Sequence, residues 1–382
     1  MRNKNLTRIA YLIDTISSNK AGTEKQLLEI IQRLDREIFD PCLICLYEAP
    51  WLKNNSVHCP VHVLSYQGLF KYSFPGVVRR LARLLREQHV DIVQTFFEDA
   101  IFVGWIGSTL SRTYPVLLSS RRDIGLGEDD LWYHALFKAA LPFVNRYFDG
   151  ILANAESVRT FTARREKTPL SKIAVIPNGI ELPSDASARP ALFEEVPADL
   201  WIGITANLKP VKRLDLFIRA LAVFQNTCPV NYHAVILGEG SQENMLKQLA
   251  KDLGLDGRIH FVGSVANVYA YLEHIDIGVL CSDREGLSNS IMEYMAFGLP
   301  VVATAVGGNT ELVDESNGIV VPPDDAVSLG QALARLADDP IRRKRLGDAS
   351  RERIHKNHSW DAIMLHWRDY YLAAMQRKRN YA

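Results

Sequence analysis

The sequence of 382 residues carries no net charge, because its 44 acidic residues balance 44 basic ones. Without a basic excess, general attraction to nucleic acid is not expected, and no nucleic-acid partner is predicted. Apolar runs such as residues 100–106 are far shorter than the ~20 residues that a membrane-spanning helix needs. The first apolar run is interrupted by Asp14, so no signal peptide is expected either.

Cysteine is scarce, and the five cysteines are unevenly spaced, which is typical of a reducing, cytoplasmic compartment. Cys42 and Cys45 match a C-x-x-C pattern, but they lie in a strand-like run with no second pair to complete a metal site. Burial in the fold is therefore favoured over redox or zinc chemistry. No cluster of ligands has metal-site spacing, so neither a metal nor another cofactor is expected.

The first half of the chain alternates strand-like and helix-like segments. Such alternation with apolar strands predicts a parallel, doubly wound sheet. Helices are predicted between most of the strands, including 74–88 and 131–148. The strands are predicted at 8–14, 41–47, 61–64, 91–95, 115–119 and 150–153.

A domain boundary is predicted near residue 180. The strand at 172–176 ends in Pro177-Asn178-Gly179, and the residues at 181–197 are rich in Pro, Ser, Ala and acidic residues, as a linker is. A second series then begins, and an amphipathic helix at 360–379 closes the chain. The strands of this series are predicted at 200–205, 231–237, 259–263, 275–280, 300–304 and 318–323.

Residues 275–304 are the most informative stretch, because they predict one strand, helix and strand unit. Ser288 is a suitable N-cap, and the helix is expected to stop before Gly298. Glu285 then lies in the loop at the carboxyl end of the strand, and Glu293 lies in the helix. Ligands bind at that end of open parallel sheets.

This arrangement suits a ligand that combines an anion with hydroxyl groups. The unpaired N–H groups at the helix start favour a phosphate, whereas carboxylates prefer hydroxyls. A sugar nucleotide has sugars on both sides of a diphosphate and fits both requirements. The plain alternative is that Glu285 and Glu293 are solvated surface charges.

The spacing Glu285-x7-Glu293, followed by residues 296–304 and by Gly307-Gly308-x-x-Glu311, resembles the donor site of retaining glycosyltransferases of family 4. The resemblance implies the GT-B fold, with two Rossmann-like doubly wound domains facing each other across a cleft. Residues 1–180, rejoined by the helix at 361–382, would bind the acceptor, and residues 181–360 would bind the donor. In this family Glu285 would face the donor sugar, and Glu293 would hold the ribose hydroxyls.

The resemblance implies further contacts to the donor. Ala21-Gly22-Thr23-Glu24 is similar to the family's Gly-Gly-x-Glu loop, which places Gly22 near the diphosphate or the acceptor. Loops after two strands would cradle the base and its ribose, mainly through backbone groups. The remaining predicted donor-binding residues are Asn207, Gly238, Val262, Gly286, Leu287, Ser288 and Asn289.

Lys209 and Lys212 follow the strand at 200–205, where they can neutralise a diphosphate. The family usually has Gly-Arg at Ala206-Asn207, so the arginine is missing. Lys209 would substitute for it, and Lys212 matches the family lysine. With Glu285, these lysines are the predicted catalytic residues; the alternative is that they are solvated charges at a helix start.

Arg121 and Arg122 end the strand at 115–119, where many family members carry a histidine. We expect them to contact an acidic or phosphorylated acceptor. A structural ion pair with Asp123 is the alternative.

Four arginines, at positions 79, 80, 83 and 86, alternate with apolar residues at helical spacing. This pattern fits a helix that lies on an anionic membrane, but an ordinary surface helix that packs on the sheet with its arginines in water is favoured. The basic run at 377–379 could also touch a membrane. A peripheral location on the inner membrane face is therefore one expectation.

By resemblance, the predicted reaction transfers a sugar, with retention, from a nucleotide-sugar donor to a saccharide or lipid-linked acceptor. A UDP-sugar is favoured as donor, and polysaccharide or glycolipid synthesis is the family's commonest theme. Front-face departure of the diphosphate is expected, because no protein nucleophile is evident. Two alternatives stay open, an epimerase of nucleotide sugars on the same fold and a non-catalytic partner subunit.

Overall fold

The computed structural model describes residues 6–19, 21–123, 132–183 and 187–381. It divides into two compact units, the first formed by Met1–Asn178 with Asp361–Ala382 and the second by Gly179–Trp360. The sequence placed this boundary near residue 180. Each unit contains one parallel sheet with helices on it, so the predicted fold class of two Rossmann-like α/β domains is confirmed.

The first unit has a sheet of seven strands in the order β3-β2-β1-β4-β5-β6-β7. The order reverses between β1 and β4, which is the position where open α/β sheets bind ligands. In chain order its elements are β1 (Thr7–Ile13), α1 (Gly22–Arg33), β2 (Phe39–Cys45), α2 (Pro50–Asn54), β3 (Val61–Val63), α3 (Phe74–Glu87), β4 (Ile92–Phe96), α4 (Glu98–Ser111), β5 (Val116–Arg121), α5 (Trp132–Val144), β6 (Gly150–Ala153), α6 (Glu156–Arg165) and β7 (Ile173–Val175).

The second unit has a sheet of six strands in the order β10-β9-β8-β11-β12-β13, which reverses between β8 and β11. Its elements are α7 (Leu192–Glu195), β8 (Leu200–Thr205), α8 (Leu214–Thr227), β9 (Tyr232–Leu237), α9 (Glu243–Asp252), β10 (Ile259–Gly263), α10 (Tyr269–Leu272), β11 (Ile277–Leu280), α11 (Asn289–Ala296), β12 (Val301–Thr304), α12 (Asn309–Leu312), β13 (Gly318–Val321), α13 (Ala326–Ala337) and α14 (Pro340–His358).

The last helix, α15 (Trp360–Tyr381), packs on the first sheet. Its Tyr371 is fully buried, and the hydroxyl lies 3.2 Å from that of Tyr11 and donates to Gln94 Oε1 at 2.6 Å. Gln94 in turn donates to Ser120 Oγ at 2.8 Å. A buried hydroxyl is costly unless it is hydrogen-bonded, so this chain of bonds fixes where the helix docks.

Helix α3 packs its apolar side inward. Val77, Leu81 and Leu85 are buried in the core of the first unit, while Arg79 and Arg83 are exposed. The interpretation of this segment as a helix that lays its apolar face on a membrane is therefore wrong, because that face is already buried. The plain interpretation of a surface helix with arginines in water is confirmed. No described helix is both long and apolar enough to cross a bilayer.

The cysteines are structural. All five are free thiols, and burial raises the pKa of Cys42 and of Cys45 to about 12, which keeps both protonated and unreactive. The described residues contain no group of three or more His, Cys, Asp or Glu side chains that could hold a metal ion. At the C-x-x-C pattern Cys45 is buried, as expected from the sequence, and Cys42 is partly buried.

Candidate active site

The two central strands of the second sheet separate towards their carboxyl ends. β8 and β11 pair only at Ile202 with Ile277 and at Gly203 with Gly278. Beyond that point the N–H of Thr205 donates to Tyr294 Oη at 2.6 Å, and its carbonyl accepts from Ser290 Oγ at 2.7 Å. Both partners belong to α11, so the start of this helix is bound at the end of β8.

Close packing of α11 on β11 depends on Gly278. A Cβ atom at this position would lie 2.5 Å from the ring of Tyr294, closer than carbon atoms approach without strain. Any other residue would therefore push the helix outward. Gly278 and Tyr294 together hold the helix start at the point where the strand order reverses.

Ser288 caps this helix, as the sequence predicts. Its Oγ accepts a hydrogen bond from the N–H of Ile291 at 3.3 Å. Glu293 lies on the fifth residue of the helix and is 8% exposed. Leu287 is also buried, and Asn289 is the first helical residue.

The structure brings together two predicted catalytic residues, Lys212 and Glu285. Lys212 Nζ lies 2.5 Å from Glu285 Oε1, and the same oxygen accepts from Ser282 Oγ at 2.6 Å. The two side chains are only 26% and 11% exposed, respectively. A partly desolvated pair of this kind holds an ammonium and a carboxylate in fixed positions at the carboxyl end of β11.

Lys209 does not join this pair. It precedes a short 3-10 turn, Pro210–Lys212, and its side chain is exposed, as is that of Asn207. The Lys209 N–H donates to the Asn207 carbonyl at 2.8 Å, and its own carbonyl accepts from the Lys212 N–H at 3.0 Å. The two lysines thus sit at opposite ends of one tight turn, one facing solvent and one paired with Glu285.

Arg213 locks this turn in place, a role that sequence reasoning missed. Its guanidinium contacts carboxylates of Asp215 at 3.1 Å, Asp283 at 3.0 Å and Asp324 at 2.7 Å. Hydrogen bonds to Asp215 and Asp324, the largest causes, raise the pKa of Arg213 above its ordinary value. Asp283 also donates its N–H to the Val211 carbonyl at 2.9 Å, so the lysine turn and the Glu285 loop form one unit.

The glycine turn after β9 approaches the same loop. Gly238 has φ of +139°, and a Cβ there would lie 2.0 Å from the Ala206 carbonyl oxygen, so only glycine fits. The Leu208 N–H donates to the Glu239 carbonyl at 3.0 Å. Gly238 and Asn207, both predicted to bind donor, therefore belong to adjoining loops.

Two further loops complete the carboxyl edge of the sheet. The Gly286 carbonyl accepts from the Gly308 N–H at 2.8 Å, and Thr304 Oγ1 donates to the Ser282 carbonyl at 2.8 Å.

Val262 is partly exposed on β10. It lines a cavity of about 480 Å³ along β10 and α9 whose lining contains neither Glu285 nor Lys212.

In the first unit, Gly22 is the first residue of α1 and is exposed. The neighbouring Glu24 is buried, and its carboxylate accepts from the N–H groups of Ser17 and Ser18, both at 2.8 Å. Glu24 therefore shapes the loop that precedes Gly22.

Asp14 is an unusual carboxylate that the sequence indicated only as a break in an apolar run. Burial, followed by the nearby charge of Asp99, raises its pKa to about 7, although a hydrogen bond from the Ala100 backbone opposes the shift. Its Oδ1 is buried and has no hydrogen-bond partner in the part of the chain that the structure describes. Its place at the end of β1, beside the glycine loop, is the sequence signal that could have identified it.

Arg121 forms a bidentate ion pair with Glu166. Nε and Nη2 lie 2.8 and 2.9 Å from the two carboxylate oxygens, and Asn145 Nδ2 donates to Glu166 Oε2 at 2.6 Å. The sequence had offered an acceptor or Asp123 as its partner. Because two nitrogens of its guanidinium already donate to Glu166, Arg121 has few donors left for an acceptor.

Arg122 has a different environment. Its guanidinium lies 5.8 Å from the ring centres of both Phe96 and Trp367, and Nη1 donates to Asn178 Oδ1 at 2.8 Å. Removal from water lowers its pKa to about 10. Within the described ranges no carboxylate is within ion-pair distance of Arg122.

Two family models match the chain. The model described as "Glycosyltransferase Family 4" matches residues 21–183, and the one described as "Glycosyl transferases group 1" matches residues 199–339. Each therefore covers one of the two units.

Two relatives align over most of the chain. The lipopolysaccharide core biosynthesis glycosyltransferase LpsD of Rhizobium meliloti is 29% identical over 298 residues, which are 76% of this chain and 80% of that protein. An alpha-1,4-N-acetyl-D-galactosaminyltransferase of Campylobacter jejuni, whose name specifies a PP-undecaprenol-linked saccharide, is 23% identical over 91% of this chain and 94% of its own. Neither is an epimerase or a non-catalytic subunit.

Among solved structures, Anabaena HepE in complex with UDP superimposes with a TM-score of 0.82 at 22% identity, covering 96% of this chain and 100% of that one. The same protein in complex with UDP-glucose gives a TM-score of 0.80. The family models and the aligned relatives make the chain a glycosyltransferase, and the solved structures show that it has the GT-B fold.

Proposed function

We propose that the enzyme transfers a sugar from a UDP-sugar to a saccharide or lipid-linked acceptor, with retention of anomeric configuration, in polysaccharide or glycolipid synthesis. The observation that carries this proposal is the Lys212–Glu285 pair at the end of β11. An ammonium beside a carboxylate matches a ligand whose diphosphate adjoins sugar hydroxyls. The capped start of α11 adds N–H donors for the phosphates.

The proposed chemistry breaks the bond between the anomeric carbon and the diphosphate oxygen, and the electron pair leaves with UDP. The acceptor hydroxyl adds to the same face of the sugar and passes its proton to the departing phosphate. Lys212, Lys209 and the helix start stabilise the negative charge that grows on the diphosphate. These cations supply that stabilisation without a metal ion, so no cofactor is proposed.

The donor residues are proposed by position. Glu293 would bind the ribose hydroxyls, Gly238 and Val262 would border the base, and Gly22 would lie near the diphosphate. UDP is favoured because Anabaena HepE was crystallised with UDP and with UDP-glucose.

The acceptor is proposed to bind the first unit. Arg122 is the better candidate of the two arginines, because Arg121 is engaged by Glu166. A phosphate or carboxylate of the acceptor would complement the Arg122 guanidinium. A PP-undecaprenol-linked acceptor, as in the name of the Campylobacter jejuni relative, has such phosphates. We further propose a cytoplasmic enzyme bound peripherally to the inner membrane face.

Replacing Glu285 by Gln tests the role of the pair. We expect turnover to fall on the order of 100-fold or more, because the ammonium and the donor sugar lose their charged partner. Glu315→Gln, at an exposed position of the same unit, is the matched control and should keep full turnover. NMR of the first-formed product reads the anomeric configuration. Unchanged turnover in Glu285→Gln, or an inverted product, would contradict the proposal.

A further inference from the structure

The two carboxylate oxygens of Glu285 have different surroundings. Oε1 accepts hydrogen bonds from Lys212 Nζ at 2.5 Å and from Ser282 Oγ at 2.6 Å. Oε2 accepts no hydrogen bond from the residues that the structure describes, and it is not a buried atom. The carboxylate therefore has one oxygen that is fully used and one that is open to a ligand.

Ser282 has a fixed position just after β11. It is fully buried, and its carbonyl accepts a hydrogen bond from Thr304 Oγ1 at 2.8 Å. Thr304 is the last residue of β12 and is also fully buried. A serine hydroxyl has a single proton to donate, and in Ser282 that proton is directed at Glu285 Oε1. The hydroxyl thus defines one direction in space.

Lys212 alone does not define the orientation of the carboxylate. Its ammonium has three protons on a flexible four-carbon stem and its side chain is 26% exposed, so it can reach either oxygen of Glu285. The last torsion of a glutamate side chain is broad, which lets the carboxylate rotate when a single mobile partner holds it. A second donor on a buried, fixed residue stops this rotation and keeps Oε1 on the side of the lysine.

We infer that Ser282 is a positioning residue, which holds the Glu285 carboxylate so that Oε2 faces the donor sugar. The inference deepens the proposed function and rests on it for the identity of the ligand. A sugar hydroxyl that donates to Oε2 finds its acceptor already oriented, so the carboxylate does not have to be ordered when the donor binds. The benefit should be confined to the sugar, because the nucleotide is proposed to contact other residues.

A purely structural role explains the bond of Ser282 less well. Most side-chain hydrogen bonds in a fold go to the backbone or to water, as for the buried Ser350, whose Oγ donates to the Asn317 carbonyl at 3.2 Å. Ser282 instead donates to a carboxylate oxygen that already has an ammonium partner. Removing the hydroxyl therefore leaves Oε1 paired, and the loss of stability should be small.

The test compares Ser282→Ala with the native enzyme in two assays. Calorimetric titration with UDP reports the nucleotide site alone. Hydrolysis without acceptor, measured with whichever of UDP-glucose, UDP-galactose and their N-acetylated forms the native enzyme hydrolyses fastest, reports the step that involves the sugar. We expect kcat of Ser282→Ala to fall on the order of 10-fold, while its affinity for UDP stays native. Thr304→Val, which frees the Ser282 carbonyl, should lower kcat in the same way.

Ser350→Ala is the matched control, because it removes another fully buried serine hydroxyl of the second unit, and it should keep native turnover. Native turnover in Ser282→Ala, or a loss of UDP affinity as large as the loss of turnover, would overturn the positioning role. Loss of cooperative thermal unfolding in Ser282→Ala would also overturn it, because the hydroxyl would then be structural.

The proposed function fails separately from this role. A native enzyme that hydrolyses none of the four UDP-sugars contradicts the proposed function, and the role of Ser282 falls with it. A native enzyme that hydrolyses one of them, with an equally active Ser282→Ala, leaves the proposed function intact and overturns the role of Ser282 alone.

Discussion

Lys212 and Glu285 are 73 residues apart in the sequence and 2.5 Å apart in the structure. Each residue was predicted from the sequence because it follows a strand. Nothing in either segment of sequence indicated that the two side chains form a pair. Ser282 and Arg213 add the constraints that keep the pair in place. The chemistry of this site is thus set by contacts between residues on different loops.

The buried carboxylate of Asp14 leads to a prediction about how stability depends on pH. Its pKa in the folded protein, about 7, lies above its ordinary value of 3.8, so the folded state holds a proton that the unfolded state has lost between these pH values. The free energy of unfolding therefore falls as pH rises through this window. Asp14→Asn removes the effect and should stabilise the protein at pH 8 by up to roughly 4 kcal/mol.

Urea unfolding of native and Asp14→Asn protein at pH 5 and pH 8 measures this difference. The gain from the substitution should be larger at the higher pH. Asp256→Asn, at an exposed position, serves as the control and should change little at either pH. If Asp14→Asn destabilises the protein equally at both pH values, the prediction that its surroundings disfavour the charged carboxylate is contradicted.

At the scale of elements, α11 is the most important piece of the site. Its capping serine, its length and its stop at a glycine were predictable, because these signals are local in the sequence. Its attachment to β8 through Tyr294 and Ser290 was not, because both bonds join residues more than 80 positions apart. The environment of helix α3 could not be predicted from its sequence either. Its amphipathic pattern is compatible with packing on a sheet and with lying on a membrane.

Tyr294→Phe tests this attachment. The substitution leaves the partly buried Thr205 N–H without its acceptor, which should cost about 1 kcal/mol of stability. Because the helix start also shifts, the affinity for a nucleotide donor should fall. Thermal unfolding and donor titration measure the two effects, with Tyr271→Phe as a control on the same unit. Native stability together with native affinity in Tyr294→Phe would refute the role of this bond.

At the scale of the whole molecule, alternating strands and helices predicted two parallel sheets, and the sheets are present with the order expected of doubly wound domains. The sequence also indicated a division near residue 180, through a Pro-Asn-Gly turn. It indicated the last helix through an amphipathic C-terminal segment. The ion pair of Arg121 with Glu166 could not be predicted from the sequence, since the two residues are 45 positions apart. Local signals thus predict the architecture, and long-range pairs require the structure.

The central claim is that the carboxyl edge of the second sheet binds a UDP-sugar. The most direct test is thermal unfolding of the native protein and Glu293→Ala with UDP-, GDP-, ADP- and dTDP-sugars, since a ligand that binds the folded state raises its melting temperature by mass action. We expect the UDP-sugar alone to stabilise the native protein, and Glu293→Ala to lose the response. If no nucleotide sugar raises the melting temperature of the native protein, or if Glu293→Ala responds like the native protein, the account of the donor site is contradicted.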